Sequence, residues 1–345
     1  MIIITIFLFC LTSIFSFWKF GKKNIKILFL LLGALLFLVA AFRDGSVVRD
    51  YEGYIYIYEN LLYRDIEFSF IIISWIVKHV FFDNILFLFV IYAILSIGLK
   101  ITAIRELTTL GLLSLVVYIS DFYILHELTQ IRSGVATGFF LLCIKPIYER
   151  DLKKFILFAC CAVLFHYSAL PIFLLWFFKG NSINKYVFAA VIPLAYIFYF
   201  LQINVVELII QFIPIGHVQK KYATYVLLQK HVPAFGMINV FNYVFLAKCL
   251  IFYVLLWKSK LVEEKNKYVN LLLKIEALSL ASFVLFSAMP AFAFRINELL
   301  GVVEIILIPF VYYVFKPKLL STAIVVFIAM CLMLINIFYA NLIIS

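Results

Sequence analysis

Four short stretches of a 345-residue chain hold side chains able to bind phosphate, pack on sugars or move a proton, and apolar sequence frames each of them. The first, Phe42-Arg-Asp-Gly-Ser-Val-Val-Arg-Asp-Tyr-Glu-Gly-Tyr, combines Arg43, Asp44, Arg49 and Asp50 with Tyr51 and Tyr54. The second, Thr129-Gln-Ile-Arg-Ser-Gly-Val-Ala, places Arg132 at the start of a predicted helix, with Glu127 and Gln130 just ahead of it. The third, Leu164-Phe-His-Tyr-Ser-Ala-Leu-Pro, sets His166 in the most apolar surroundings of the five histidines. The fourth, Ala293-Phe-Arg-Ile-Asn-Glu, spaces Arg295 and Glu298 one helical turn apart. Guanidinium groups hold diphosphates bidentately and stay charged where the dielectric is low. An imidazole can take a proton or bond a phosphate. Tyrosine rings pack on pyranoses while carboxylates accept hydroxyls.

Each of these residues also has an ordinary structural reading. A lone arginine can snorkel to the membrane interface, and Arg295 with Glu298 can simply form an i,i+3 pair. A histidine in apolar sequence is commonly a satisfied structural one, and tyrosines gather in interfacial belts without binding anything. Glu304 reads as structural, and Lys248, in the middle of its apolar run, fits no pattern.

The elements that must position these groups follow from composition. The chain is 66% apolar and only 14% charged, with a mean hydropathy of +1.13, whereas soluble domains are about half apolar and a quarter charged. The expectation is an all-α polytopic membrane protein of about 11–13 transmembrane helices, a single integral domain over residues 1–345. Met1 to Trp18 has no basic residues ahead of it and no small-residue cleavage site after it, so it reads as a retained span. The net charge of +11 sits largely in short loops, the positive-inside signal, and does not point to nucleic acid. All six cysteines lie in apolar runs without metal-ligand spacing and read as packing residues.

Loop charge then assigns faces. Basic clusters at Lys19–Lys26, Lys100/Arg105, Lys145–Lys154, Lys179/Lys185, Lys258–Lys274 and Lys316/Lys318 are all cytoplasmic if the positive-inside rule holds. Phe155 to Phe178 has the length of one helix, but a single crossing would invert every later loop. Parity therefore predicts a hairpin or re-entrant pair turning near His166 to Pro171. Residues 43–84 and 202–235 become outer loops. The latter, with Glu207, Lys220, Lys221, Lys230 and His231, reads either as an amphipathic lid or as a plain connection. Under this topology Arg43, Asp44, Arg49, Asp50, Glu127, Arg132, His166, Arg295 and Glu298 meet at one outer face, although the lysine-rich loops set it. Ionisable groups at a membrane edge are site candidates by default.

No Walker motif, Rossmann fingerprint, G-x-S-x-G elbow, H-E-x-x-H or D-x-D occurs. A reaction without metal or cofactor on a preactivated, lipid-soluble substrate is what remains natural. The Arg43-to-Tyr54 segment, Ile-Arg-Ser-Gly-Val-Ala and Leu-Phe-His-Tyr-Ser-Ala-Leu, in that order, resemble the EpsG family of exopolysaccharide proteins, grouped with Wzy-type O-antigen and capsule polymerases. Ser133 stands where that family most often has Gln.

The resemblance implies a glycosyltransferase-C-like polymerase at the outer face of the bacterial inner membrane. It would move a glycan from undecaprenyl diphosphate onto a lipid-linked repeat unit. Expected partners are the lipid-linked oligosaccharide donor and acceptor, membrane lipid and a chain-length regulator protein. In that reading His166, Arg132 and Arg295 are catalytic, with Arg132, Arg295, Arg43 and Arg49 on the diphosphate. Asp44, Asp50, Tyr51 and Tyr54 contact sugar, and Gln130, Glu127 and Glu298 give support. A flippase for the same lipid and a membrane O-acyltransferase are the alternatives. The first suits charges spread through a central cavity; the second prizes a buried histidine but gives no use for the arginines.

Overall fold

Apolar runs become helices wherever basic or polar loops interrupt them. The computed structural model describes residues 1–61, 66–211, 219, 222–227 and 238–343, and among these the chain is all-α, without a strand. The principal helices are α1 (Ile2–Ser16), α2 (Lys22–Ala41), α3 (Tyr51–Glu59), α4 (Phe68–Val80), α5 (Leu86–Leu107), α6 (Gly111–Ser120) and α7 (Ile131–Glu149). They continue as α8 (Leu152–Phe165), α9 (Lys185–Phe200), α10 (Val205–Gln211), α11 (Tyr243–Trp257), α12 (Val269–Leu285), α13 (Pro290–Gly301) and α14 (Lys318–Leu334). Among the described residues, four helical stretches are long and apolar enough to cross a membrane: Lys23–Ala41, α5, α7 and Lys318–Tyr339. Two bent pairs raise this to six, α6 with Tyr123–Thr129 (62°) and α9 with α10 (86°). A count of 11–13 crossings would have to include the shorter apolar helices, such as α1 and α11, at 10–17 residues each.

The loops around Arg105, Lys145–Lys154, Lys179/Lys185 and Lys258–Lys267 meet on one face. Lys145 reaches Glu106 at 3.4 Å, Lys267 reaches Glu149 at 3.4 Å, and Lys185 donates to the Trp257 carbonyl at 2.9 Å. Asn266 donates to the Leu107 carbonyl at 2.6 Å, closing the ring of loops beneath α5, α7, α9, α11 and α12.

The hairpin that parity demanded is present. α8 ends at Phe165, His166 is extended (φ −155°, ψ 118°), and Tyr167–Phe177 returns as a 3₁₀ helix. Fourteen α residues rise ~21 Å and eleven 3₁₀ residues rise ~22 Å, so the two legs match. Arg150, just before α8, closes the return by donating to the Phe178 carbonyl at 2.6 Å. Pro171, which has no N–H to offer, keeps the second leg out of regular α geometry.

α6 explains a departure from expectation. Its ten residues rise only ~15 Å, about half a ~30 Å hydrocarbon core. The bend at Asp121 and the π-helical Tyr123–Thr129 therefore lie inside the bundle. Glu127, expected at an outer tip, is instead buried beside Lys100, which sits about two turns inside the end of α5 and not in a surface cluster. Lys100 donates to Glu127 Oε1 at 2.6 Å and to the Gly134 carbonyl at 2.7 Å, and Tyr118 donates to the same carboxylate at 2.9 Å.

α7 comes close to α5 because Gly138 has no side chain. A Cβ there would stand 2.8 Å from Leu99 Cβ, the close approach that small residues spaced by four permit between membrane helices. Gly138→Val is expected to wedge the pair apart and cost about 1–3 kcal/mol, lowering the unfolding temperature in detergent. Gly98→Ala, with nothing within 4 Å of the added Cβ, should not lower it.

The rim helices α1, α2, α9 and α14 expose apolar side chains, among them Ile3, Leu31, Leu194 and Phe327, as faces that hydrocarbon would cover. Half of the outer loop read at 202–235 falls outside the described residues, including Lys220, Lys221, Lys230 and His231. Within it Glu207 is exposed on α10, whose Val206 and Ile210 pack with Met289.

Candidate functional site

His166 stands at the corner of the hairpin because its helix ends there. Its N–H still closes the last turn of α8 on Ala162 (2.9 Å) while its carbonyl accepts from Ala169 at 3.0 Å. Glu67 occupies the N-cap position of α4 in extended geometry, and its side chain does not cap the helix. That frees the carboxylate to reach sideways. Oε1 lies 2.7 Å from His166 Nδ1, and Oε2 accepts from Arg132 Nη1. Burial pushes the Glu67 carboxyl up, yet the His166 hydrogen bond and the Arg132 charge outweigh it and hold the group at about 2. An ionised carboxylate can only accept, so Nδ1 carries a proton toward it, an arrangement that in a neutral imidazole leaves Nε2 as the acceptor. Arg132, at the first turn of α7, lies with its guanidinium 5.7 Å from the Tyr54 ring and 5.9 Å from that of Phe70.

This group opens on a cavity of about 740 Å³. Arg49, Asp50, Tyr54, Gln130, Arg132, His166, Arg295 and Glu298 all line it, drawn from four separate parts of the chain. Arg49 and Arg295 are exposed there and make no ion pair within 4 Å among the described residues. Glu298 and Arg295 line the same cavity without forming an ion pair within 4 Å. Two unpaired guanidiniums beside a carboxylate-oriented histidine make a site for an anionic leaving group next to a proton acceptor.

Arg43, Asp44, Tyr51 and Glu127 are not among the residues that line this cavity. Arg43 is buried, donates to the Ala40 carbonyl at 2.9 Å and the Leu128 carbonyl at 2.8 Å, and lies 4.7 Å over Phe89, tying α2 to the π-helical turn. Asp44 caps the turn Gly45–Val47 through Ser46 N at 3.0 Å and Ser46 Oγ at 2.7 Å. Tyr51 stacks on Phe89 at 4.7 Å and fills the space a side chain at Gly45 would need. Glu127 serves the Lys100 pair.

Three contributors have no counterpart in the sequence-based set. Glu67 is an acid immediately ahead of the apolar run 68–77, a signal hidden by its position in a long outer loop. Asp121 is the one charged residue between Glu106 and Glu127, and an ionisable group in such a run is a site candidate by default. Lys248, which fitted no pattern, lines the cavity and pairs with Asp121 at 3.3 Å and Glu304 at 2.8 Å.

The sequence pattern of the EpsG family matches residues 26–344. No curated protein and no solved structure matches the chain.

Proposed function

The chain belongs to the EpsG family and is a membrane protein of polysaccharide biosynthesis, and from that premise we propose that it is a Wzy-type polysaccharide polymerase. It transfers a growing glycan from undecaprenyl diphosphate to a sugar hydroxyl of a lipid-linked repeat unit, at the outer face of the bacterial inner membrane. The observation that carries this reading is the Glu67 carboxylate joining His166 to Arg132 in a cavity that also presents the unpaired Arg49 and Arg295.

The acceptor oxygen attacks the anomeric carbon, a C–O bond forms, and the bond to the diphosphate oxygen breaks with its electron pair leaving on the lipid diphosphate. His166 takes the proton of the attacking hydroxyl, while Glu67 fixes the ring and stabilises the imidazolium that results. Arg132, Arg295 and Arg49 meet the negative charge that develops on the departing diphosphate, and preorganised electrostatics of that kind are usually the largest catalytic contribution. The guanidiniums supply the positive charge that a metal supplies in other glycosyl transfers.

In a deletion strain, His166→Ala, Arg132→Ala and Arg295→Ala are each expected to lower chain elongation by about 10²–10⁴-fold. The measurement is a gel of extracted glycan: single repeats accumulate and long chains disappear. Long chains persisting in all three strains would sink the site assignment. Repeat units trapped on the cytoplasmic side would instead indicate a flippase.

A further inference from the structure

The same cavity holds a second polar group of different chemistry. Asp121 sits at the 62° break after α6, Asn336 lies in the π-helical turn Ile335–Tyr339 that follows α14, and Lys248 projects from α11. Asp121 Oδ1 accepts from Asn336 Nδ2 at 2.9 Å, and its Oδ2 accepts from Lys248 Nζ at 3.3 Å. Asn336 is braced further by the Ser120 carbonyl at 3.2 Å. Lys248 is held by Glu304 at 2.8 Å, and Glu304 does not line the cavity. Both Asp121 and Asn336 thus sit where regular helix geometry fails, as π-turns at functional sites and broken helices at membrane binding sites do.

Charge decides what this group can hold. One ammonium is already answered by two carboxylates, Asp121 and Glu304, so no cation is left over for a diphosphate. Arg49 and Arg295 present the opposite case. An ionised carboxylate has about four acceptor positions, and Asn336 and Lys248 use two on Asp121. The remaining lone pairs and the Asn336 amide oxygen suit a neutral ligand rich in hydroxyls.

We propose that Asp121 and Asn336, positioned by Lys248, form a subsite that binds the hydroxyls of the lipid-linked oligosaccharide. The proposal rests on the polymerase reading and locates the sugars it requires. Asp44 and Tyr51 do not line the cavity, and Asp121 and Asn336 supply what the first outer loop only partly provides. Lys248 is a positioning residue: with Glu304 behind it, the ammonium sets the direction in which Asp121 faces.

The test uses full-length protein in proteoliposomes, with the lipid-linked repeat unit extracted from a deletion strain as substrate and a sugar-free polyprenyl diphosphate as binding probe. Asp121→Asn and Asn336→Ser are each expected to raise KM for the repeat unit about tenfold or more, the loss of one hydrogen bond to a charged or oriented group, with a smaller change in kcat. Both should bind polyprenyl diphosphate as the parent does, while Arg295→Ala loses it. Unchanged KM in the two variants overturns the subsite and leaves the polymerase reading intact. Loss of polyprenyl diphosphate binding alongside the rise in KM also overturns it, because the group would then be a phosphate site. If Asp121→Asn does not fold, Asn336→Ser, which keeps every charge, decides alone. Absence of chain growth by the parent protein takes down the polymerase reading and the subsite together.

Discussion

Glu67→Gln is expected to reduce chain elongation by about 10²–10⁴-fold while leaving the protein folded in detergent. The carboxylate serves two donors at once, His166 Nδ1 at 2.7 Å and Arg132 Nη1. A carboxamide offers one acceptor and one donor to the same two partners. Its NH₂ must face either the ring N–H or the guanidinium, so the ring turns or adopts the wrong tautomer, and Nε2 no longer accepts the substrate proton. Glu67→Asp keeps both acceptors but is one methylene shorter, and should recover part of the activity. A positioning role makes a sharper demand as well: Glu67→Gln added to His166→Ala should cost little beyond His166→Ala alone, because groups that act as a unit are not additive. Initial elongation rates in proteoliposomes read all three, and full additivity would rule out the role. Since the folded carboxyl sits at about 2 and an unfolded one near ~4.3, the depressed value stabilises the fold above about pH 5 and that contribution fades as pH falls toward 2. Between pH 5 and 8 the Glu67 dependence of the rate should therefore be flat.

The residues legible from sequence were those whose signal is local. An arginine or histidine in apolar sequence stands out wherever it sits, and loop lysines alone gathered Arg49, Arg132, His166 and Arg295 at one face. The hairpin was legible for a related reason, since parity is a counting constraint that one misplaced span violates. Glu67 was not, because an acid in a long outer loop is unremarkable until α4 is docked and aims it at α7 and α8. The Asp121–Lys248–Asn336 group joins residues more than 80 positions apart, and no spacing announces a pairing of that kind. Arg43 shows the reverse failure. Its sequence context is the same as that of Arg49, yet it closes two backbone carbonyls inside the bundle while Arg49 opens on the cavity. The difference is tertiary, since the partners of Arg43, Leu128 and Phe89, come from the π-helical turn and from α5.

The largest effect on stability is expected at Lys100. Its ammonium and the Glu127 carboxylate are both fully buried, 2.6 Å apart, and Lys100 also donates to the Gly134 carbonyl where α7 begins. Removing one partner of a buried pair strands the other charge and costs about 3–5 kcal/mol. Lys100→Met should therefore lower the unfolding temperature more than any single substitution in the cavity, and lose activity through loss of fold. The double variant Lys100→Met with Glu127→Gln removes both charges and keeps Tyr118 a partner at 2.9 Å from the former carboxylate oxygen. Replacing both members of such a pair is often close to neutral, so the double variant should regain most of the stability that Lys100→Met loses. A double-mutant cycle on detergent unfolding temperatures measures the coupling. Equal melting of Lys100→Met and the parent would mean that Glu127 is satisfied without its lysine. Activity of the rescued double variant gives the second half of the answer. The pair lies beneath Arg132 on α7 without touching the cavity, so elongation should return with the fold, whereas Glu67→Gln remains inactive however stable it is.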